Sequence, residues 1–132
     1  MLTSYFGSPE ILGIPEIDDD HRKIAAIHDA LIGQLVEGSD RAVILAKLSE
    51  LIDAMCDHFN REEEMMRLSH YPDADAHKRD HDMFLQKIGK ILTDHQTNNP
   101  ELTRDTVDMV RSWKLGHMKN HDRPFILTIL ST

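Results

Sequence analysis

A chain of 132 residues that is 40% hydrophobic and 29% charged has room for one core but not two, so a single globular domain is expected. Its formal net charge of −8 sets nucleic acid and anionic membrane surfaces aside as partners. The lone cysteine, Cys56, excludes an internal disulfide and a cysteine-based zinc cluster and suits a reducing, cytoplasmic setting.

No apolar run reaches the roughly eighteen residues of a membrane span. The start, MLTSYFGSPEILG, lacks the basic opening and apolar stretch of a signal peptide. The compositional oddity is nine histidines.

Gly7, Pro9, Gly13 and Pro15 make residues 1–17 an extended arm, with Tyr5, Phe6, Ile11, Leu12, Ile14 and Ile17 packing it onto the body. Asp18, Asp19 and Asp20 offer an N-cap for a first helix over about 18–37, which Gly38 stops. Ser39 or Asp40 caps a second helix over about 40–68, and residues 69–73 form a tight link. A third helix covers about 73–95. A loop at 96–99 ends with Asn99 as cap and Pro100 at the first position of a fourth helix, about 100–121. The tail, 122–132, ends in FILTILST; it reads as a short helix or strand-like segment that covers a bundle end or a partner subunit. The pattern predicts an all-α, up-down-up-down antiparallel four-helix bundle.

The inward stripe of the second helix reads Ile44, Leu48, Leu51, Met55, His58, Glu62, Met65. An imidazole and a carboxylate therefore occupy core positions, which refuse such groups unless something pairs them. The same substitution recurs elsewhere. The first helix turns in His21, Ile24, His28, Leu31 and Leu35; the third, His77, His81, Phe84, Ile88 and Ile91; the fourth, Leu102, Thr106, Met109 or Val110, Trp113 and His117. With helices of alternating direction, His21, His58, Glu62, His77, His81 and His117 all fall at one end.

A further ligand is ambiguous by spacing. His121 lies four residues after His117 and shares its face, whereas Asp122 is rotated by about 140° on an ideal helix. Asp122 turns inward only if the helix ends or widens there, as in a π-type bulge; Arg123-Pro124 favours an end.

Taken singly, each histidine is more often a core or surface residue than a ligand. His28 sits two turns from His21, about 10.5 Å, and reads as a core histidine. His70 and His95 read as exposed, Glu63 and Glu64 as solvated, and Met55, Met65 and Met66 as core filler.

As a set, Asp18-x-x-His21, His58-Phe59-x-x-Glu62-Glu63, His77-x-x-x-His81 and His117-x-x-x-x-Asp122 resemble the hemerythrin family, in particular its single-domain bacterial members. The likeness covers nearly the whole chain, and the combination is far more specific than any one piece. It implies Asp122 as the ligand, leaving His121 solvated. It implies two iron ions with an oxo or hydroxo bridge: His77, His81 and His117 on one, His21 and His58 on the other, Glu62 and Asp122 bridging. The second iron then has five ligands and a vacancy for dioxygen or a similar diatomic. Nitrogen-rich donors with two carboxylates also suit iron better than magnesium or calcium.

The resemblance implies a ligand pocket of Ile24, Phe59, Trp113 and Met118. None of these is an acid or base, so no catalytic residue is expected and the chain reads as an oxygen carrier, store or deliverer, not an enzyme. The alternatives are an oxygen, redox or nitric-oxide sensor acting through a partner, with the tail as the candidate contact, and a di-iron enzyme with peroxidase or nitric-oxide-reducing activity. Two departures stand out. Lys114 occupies a position where the family often has leucine; at a pocket mouth it would admit water or anions and speed autoxidation. The arm also lacks the family's tryptophan, with Tyr5 or Phe6 as substitutes.

Overall fold

The computed structural model describes residues 12–95 and 101–131. Its helices are α1 (Pro15–Glu37), α2 (Arg41–Ser69), α3 (Ala74–His95), α4 (Glu101–His117) and α5 (Arg123–Leu130), with a π-helical turn, Met118–Asp122, between the last two. The chain is all-α, with no strand among the described residues. The packing of Tyr5, Phe6 and Ile11, the loop from Gln96 and the capping roles of Asn99 and Pro100 lie outside the described residues. So does the exposure of the His95 side chain.

The first helix begins earlier than its aspartates suggest. Pro15 stands in the first turn after Ile14, which is extended and makes no side-chain cap; proline's fixed φ and missing N–H suit that position. Asp18 is therefore not a cap. It lies buried in the first turn, and its carboxylate accepts the backbone N–H of Leu12 at 2.8 Å and of Gly13 at 3.2 Å. The approach to the helix is thereby tied to its positive end. At the other end Gly38 adopts φ 71°, and the N–H groups of Gly38 and Ser39 reach back to Leu35 and Gln34. Only a residue without a Cβ takes that conformation at no cost.

Two compact units part within α2, one ending at His58 and the other starting at Phe59. In the first, Ile17, Ile24, Ala25, Ile27 and Leu31 of α1 and Ile44, Leu48, Leu51, Ala54 and Met55 of α2 are buried. Asp20 near the start of α1 meets His58 far along α2, so the two helices run in opposite directions. In the second unit Phe59, Met66, Phe84, Ile88, Val107, Val110, Met118, Phe125 and Ile126 are buried. The start of α3 meets the end of α4 through His77 and His117, so these helices are also antiparallel.

The fourth helix does not stop near His121 as expected. It widens by one residue over Met118–Asp122, with the Arg123 N–H bonded to the Met118 carbonyl five residues back, and continues as α5. The wider turn accommodates Pro124, whose ring and missing N–H would otherwise break a regular helix. The tail is thus helical, not strand-like. It buries Phe125 and Ile126 and leaves Leu127 and Leu130 more than half exposed.

Candidate metal centre

Within the second unit, Glu62 on α2, His77 and His81 on α3, His117 at the end of α4 and Asp122 in the π-turn are all buried. Each offers a donor atom, and these atoms lie within 4.8 Å of one another. The Nε2 atoms of His77 and His81 each stand 3.0 Å from Nε2 of His117. Asp122 Oδ1 is 2.8 Å from His117 Nε2 and 3.1 Å from His77 Nε2. Glu62 Oε1 is 3.3 Å from His81 Nε2 and 3.6 Å from His77 Nε2.

Behind this cluster stand two carboxylates. Glu63 Oε2 lies 2.9 Å from His81 Nδ1, and Asp80 Oδ2 lies 2.5 Å from His117 Nδ1. A carboxylate only accepts, so each neutral ring donates its single proton there and turns a bare lone pair inward. Two imidazole nitrogens 3.0 Å apart need a metal ion or a shared proton between them. A metal about 2.1 Å from each donor puts neighbouring octahedral ligands about 3.0 Å apart and tetrahedral ones about 3.4 Å apart. The spacings among the histidines and Asp122, 2.8 to 3.1 Å, sit nearer the octahedral value, and those of Glu62, 3.3 and 3.6 Å, nearer the tetrahedral one. The donors present fit a metal held by three nitrogens and two oxygens.

In the first unit, His21 and His58 are both buried, with ring centroids 5.0 Å apart and planes inclined by 67°. Asp20 Oδ2 holds His58 Nδ1 at 3.0 Å, the same carboxylate backing. The unbroken α2 sets His58 and Glu62 one turn apart along one face. His28 is fully buried but belongs to neither cluster.

Without metal, the electrostatics of the cluster favour an extra proton. Burial pulls the His77 imidazole down, but hydrogen bonds and charge from Asp122 and Glu62 outweigh it and push it up to about 9. His121 moves the other way, lowered by burial and by neighbouring His117.

Aromatic rings wall the cluster. Phe59 stacks on His81 at 4.0 Å, Trp113 stacks on His117 at 4.5 Å, and the Phe59 and Trp113 rings meet edge-on at 5.5 Å. Phe84 backs Trp113 at 4.2 Å. Of the residues expected to line a ligand pocket, Ile24, Phe59 and Met118 are buried and Trp113 is half-buried.

Three sequence expectations need correction. Glu63 is not a solvated bystander, because its long side chain reaches across to α3. His121 is half-buried, its ring stacked 5.2 Å from that of His117 and its Nε2 3.9 Å from Asp80. The π-turn displaces it sideways and turns Asp122 in. Lys114 does not stand at a mouth: its side chain is 0% exposed, with Nζ 3.6 Å from Asp122 Oδ2. Asp20, expected as an N-cap candidate, and Asp80, given no role, back histidines instead; their one signal is the carboxylate directly before a ligand-type histidine in Asp20-His21 and Asp80-His81.

A family model for the hemerythrin HHE cation binding domain matches residues 12–126. A bacteriohemerythrin of Methylococcus capsulatus is 30% identical over 106 residues, covering 80% of each chain. One of Pseudomonas aeruginosa is 26% identical over 118 residues, covering 86% of this chain and 73% of the relative. A myohemerythrin of Theromyzon tessulatum is 26% identical over 102 residues, covering 77% of this chain and 79% of the relative. No solved structure matches. The helices, the buried histidine–carboxylate cluster and these likenesses together establish that the chain belongs to the hemerythrin family, a family of four-helix proteins that bind oxygen at a di-iron centre.

Proposed function

We propose that the chain is a single-domain, non-haem di-iron protein that reversibly binds dioxygen at a five-coordinate iron, serving carriage, storage or delivery. His77, His81 and His117 hold one iron and His21 and His58 the other, with Glu62 and Asp122 bridging, as the family pattern has it. The observation that carries the reading is the close approach of Nε2 of His81 and Nε2 of His117, 3.0 Å apart, on rings whose Nδ1 atoms face Glu63 and Asp80. Such an arrangement is favoured by a metal cation at its centre.

When bound, a ferrous pair supplies the two electrons that reversible capture of dioxygen draws on. The protein's own part is to fix the donors and exclude water. The Nδ1 hydrogen bonds lock three ring orientations, and Phe59, Phe84 and Trp113 pack around the His81 and His117 imidazoles. Ile24 and Met118, also buried, complete the proposed pocket. None of these pocket residues can donate or take a proton, which favours binding over turnover.

Dioxygen or a similar diatomic is the ligand. The exposed Leu127 and Leu130 support self-association or a protein partner at α5. No helix among the described residues is long and apolar enough to cross a membrane.

The test is optical. Reduced iron protein exposed to air should gain a visible charge-transfer band, and degassing should remove it. Irreversible conversion to a diferric form would move the reading to sensing, and steady consumption of an added substrate would move it to an enzyme.

A further inference from the structure

The five donors clustered in the second unit are each no more than 2% exposed, so a metal ion reaches them only by shedding its water inside the protein. Such a site needs an entry path. His117 belongs both to this cluster and to the wall of a cavity outside it. Its ring presents Nε2 to His77 and His81, 3.0 Å from each, and Nδ1 to Asp80 on the other side. Beyond it stands His121, whose ring stacks on His117 at 5.2 Å and whose Nε2 is 3.9 Å from Asp80 Oδ2. Asp80 and His121 are both half-buried. They border the cavity, which measures about 220 Å³ and is lined also by Ser112, Trp113 and Asn120.

Donor atoms of Asp80, His117 and His121 lie within 4.8 Å of one another. Two donors on one ion, at bonds of about 2.1 Å, stand at most about 4.2 Å apart, so Asp80 and His121 can share an ion at their present spacing. An anionic oxygen and an imidazole are what a first-row divalent cation exchanges water for. The cavity beside them leaves room for the waters the ion keeps.

We propose that Asp80 and His121 form an outer cation site through which a divalent metal ion enters the centre. The inference rests on the metal reading of the inner cluster given above. Asp80 supplies the attraction, His121 the second donor, and both are reached from the cavity without unfolding. An ion drawn onto Asp80 competes with the His117 Nδ1 proton for that carboxylate. The His117 ring, released on that side, is free to swing and hand the ion to the inner donors. Asp80 then accepts the His117 proton again and the outer pair is vacated.

The test is the rate at which metal-free protein takes up Co²⁺ after rapid mixing. Quenching of Trp113 reports it, because this residue is the protein's one tryptophan and stacks on His117. Two variants are compared with wild type: His121→Phe keeps a ring against His117 but removes the nitrogen donor, and His121→Ala removes both. Each should fill about tenfold or more slowly than wild type, while the final stoichiometry and the affinity measured by chelator competition stay unchanged.

Uptake by His121→Phe at the wild-type rate overturns the proposal and leaves the inner-cluster reading intact. A loss of equilibrium affinity in both variants overturns it too, because His121 would then hold the centre together and not admit the ion. Wild-type protein that takes up no metal defeats the underlying reading instead.

Discussion

At the scale of single residues, the informative groups are the carboxylates one step behind the histidines. Asp20, Glu63 and Asp80 each accept an Nδ1 proton, which fixes the tautomer and turns Nε2 inward. Removing one such acceptor leaves the ligand in place but frees its ring. Glu63→Gln and Asp80→Asn should therefore each weaken metal binding by about 10- to 100-fold without unfolding the helices; competition against a graded series of chelators measures this. Unchanged metal affinity in both would show that the rings are held by packing alone. The sequence displayed the histidines because each interrupts an apolar stripe. It hid Glu63 because a helical wheel reports the direction of Cα–Cβ, not how far a flexible side chain can bend toward a neighbouring helix. Lys114 was misjudged for the same reason: a lysine reads as a surface residue, and burial beside Asp122 is a tertiary fact.

At the scale of elements, the π-turn decides which side chain faces the cluster. In an unbroken α-helix the residue four after His117 shares its face, and that is His121. The extra residue in Met118–Asp122 rotates the chain so that Asp122 is buried against His117 while His121 moves outward, beside Asp80. The sequence could state the alternatives, an end or a widening, but not choose between them. The widening depends on packing of Phe125 and Ile126 further along, both fully buried. The consequence is a contrast between neighbours. Asp122→Ala should lose metal, whereas His121→Ala should retain full iron content and a thermal midpoint within a few degrees of wild type, as expected for a change well below about 1 kcal/mol. Iron analysis after desalting reads it. Loss of iron in His121→Ala with retention in Asp122→Ala would mean that the helix is regular in solution.

At the scale of the molecule, the fold was legible where periodicity speaks. The stripes of α1 to α4, the stop at Gly38 and the start at Pro15 follow from local physics, while the helical tail depends on contacts distant in sequence, Phe125 against Tyr71 and His77. On the proposed reading a bound metal also helps hold the molecule together, because imidazoles and acids gathered in a core without a cation make a poor interior. This fixes the sign of the pH response. In metal-free protein His77 is raised from its ordinary 6.5 to about 9 by Asp122 and Glu62, against the opposing pull of burial. A raised folded-state value favours the folded state fully below about pH 6.5, and that contribution fades as pH climbs through about 9; at most about 3 kcal/mol is involved. Metal requires the same imidazole neutral, so in loaded protein acid competes with the metal and the dependence reverses. Thermal midpoints taken from pH 6 to pH 10 should fall with rising pH after chelation, and should hold or rise over the same window with iron bound. His77→Gln should flatten the metal-free curve. A metal-free slope that survives this substitution would assign the titration to another group and detach His77 from the carboxylates that surround it.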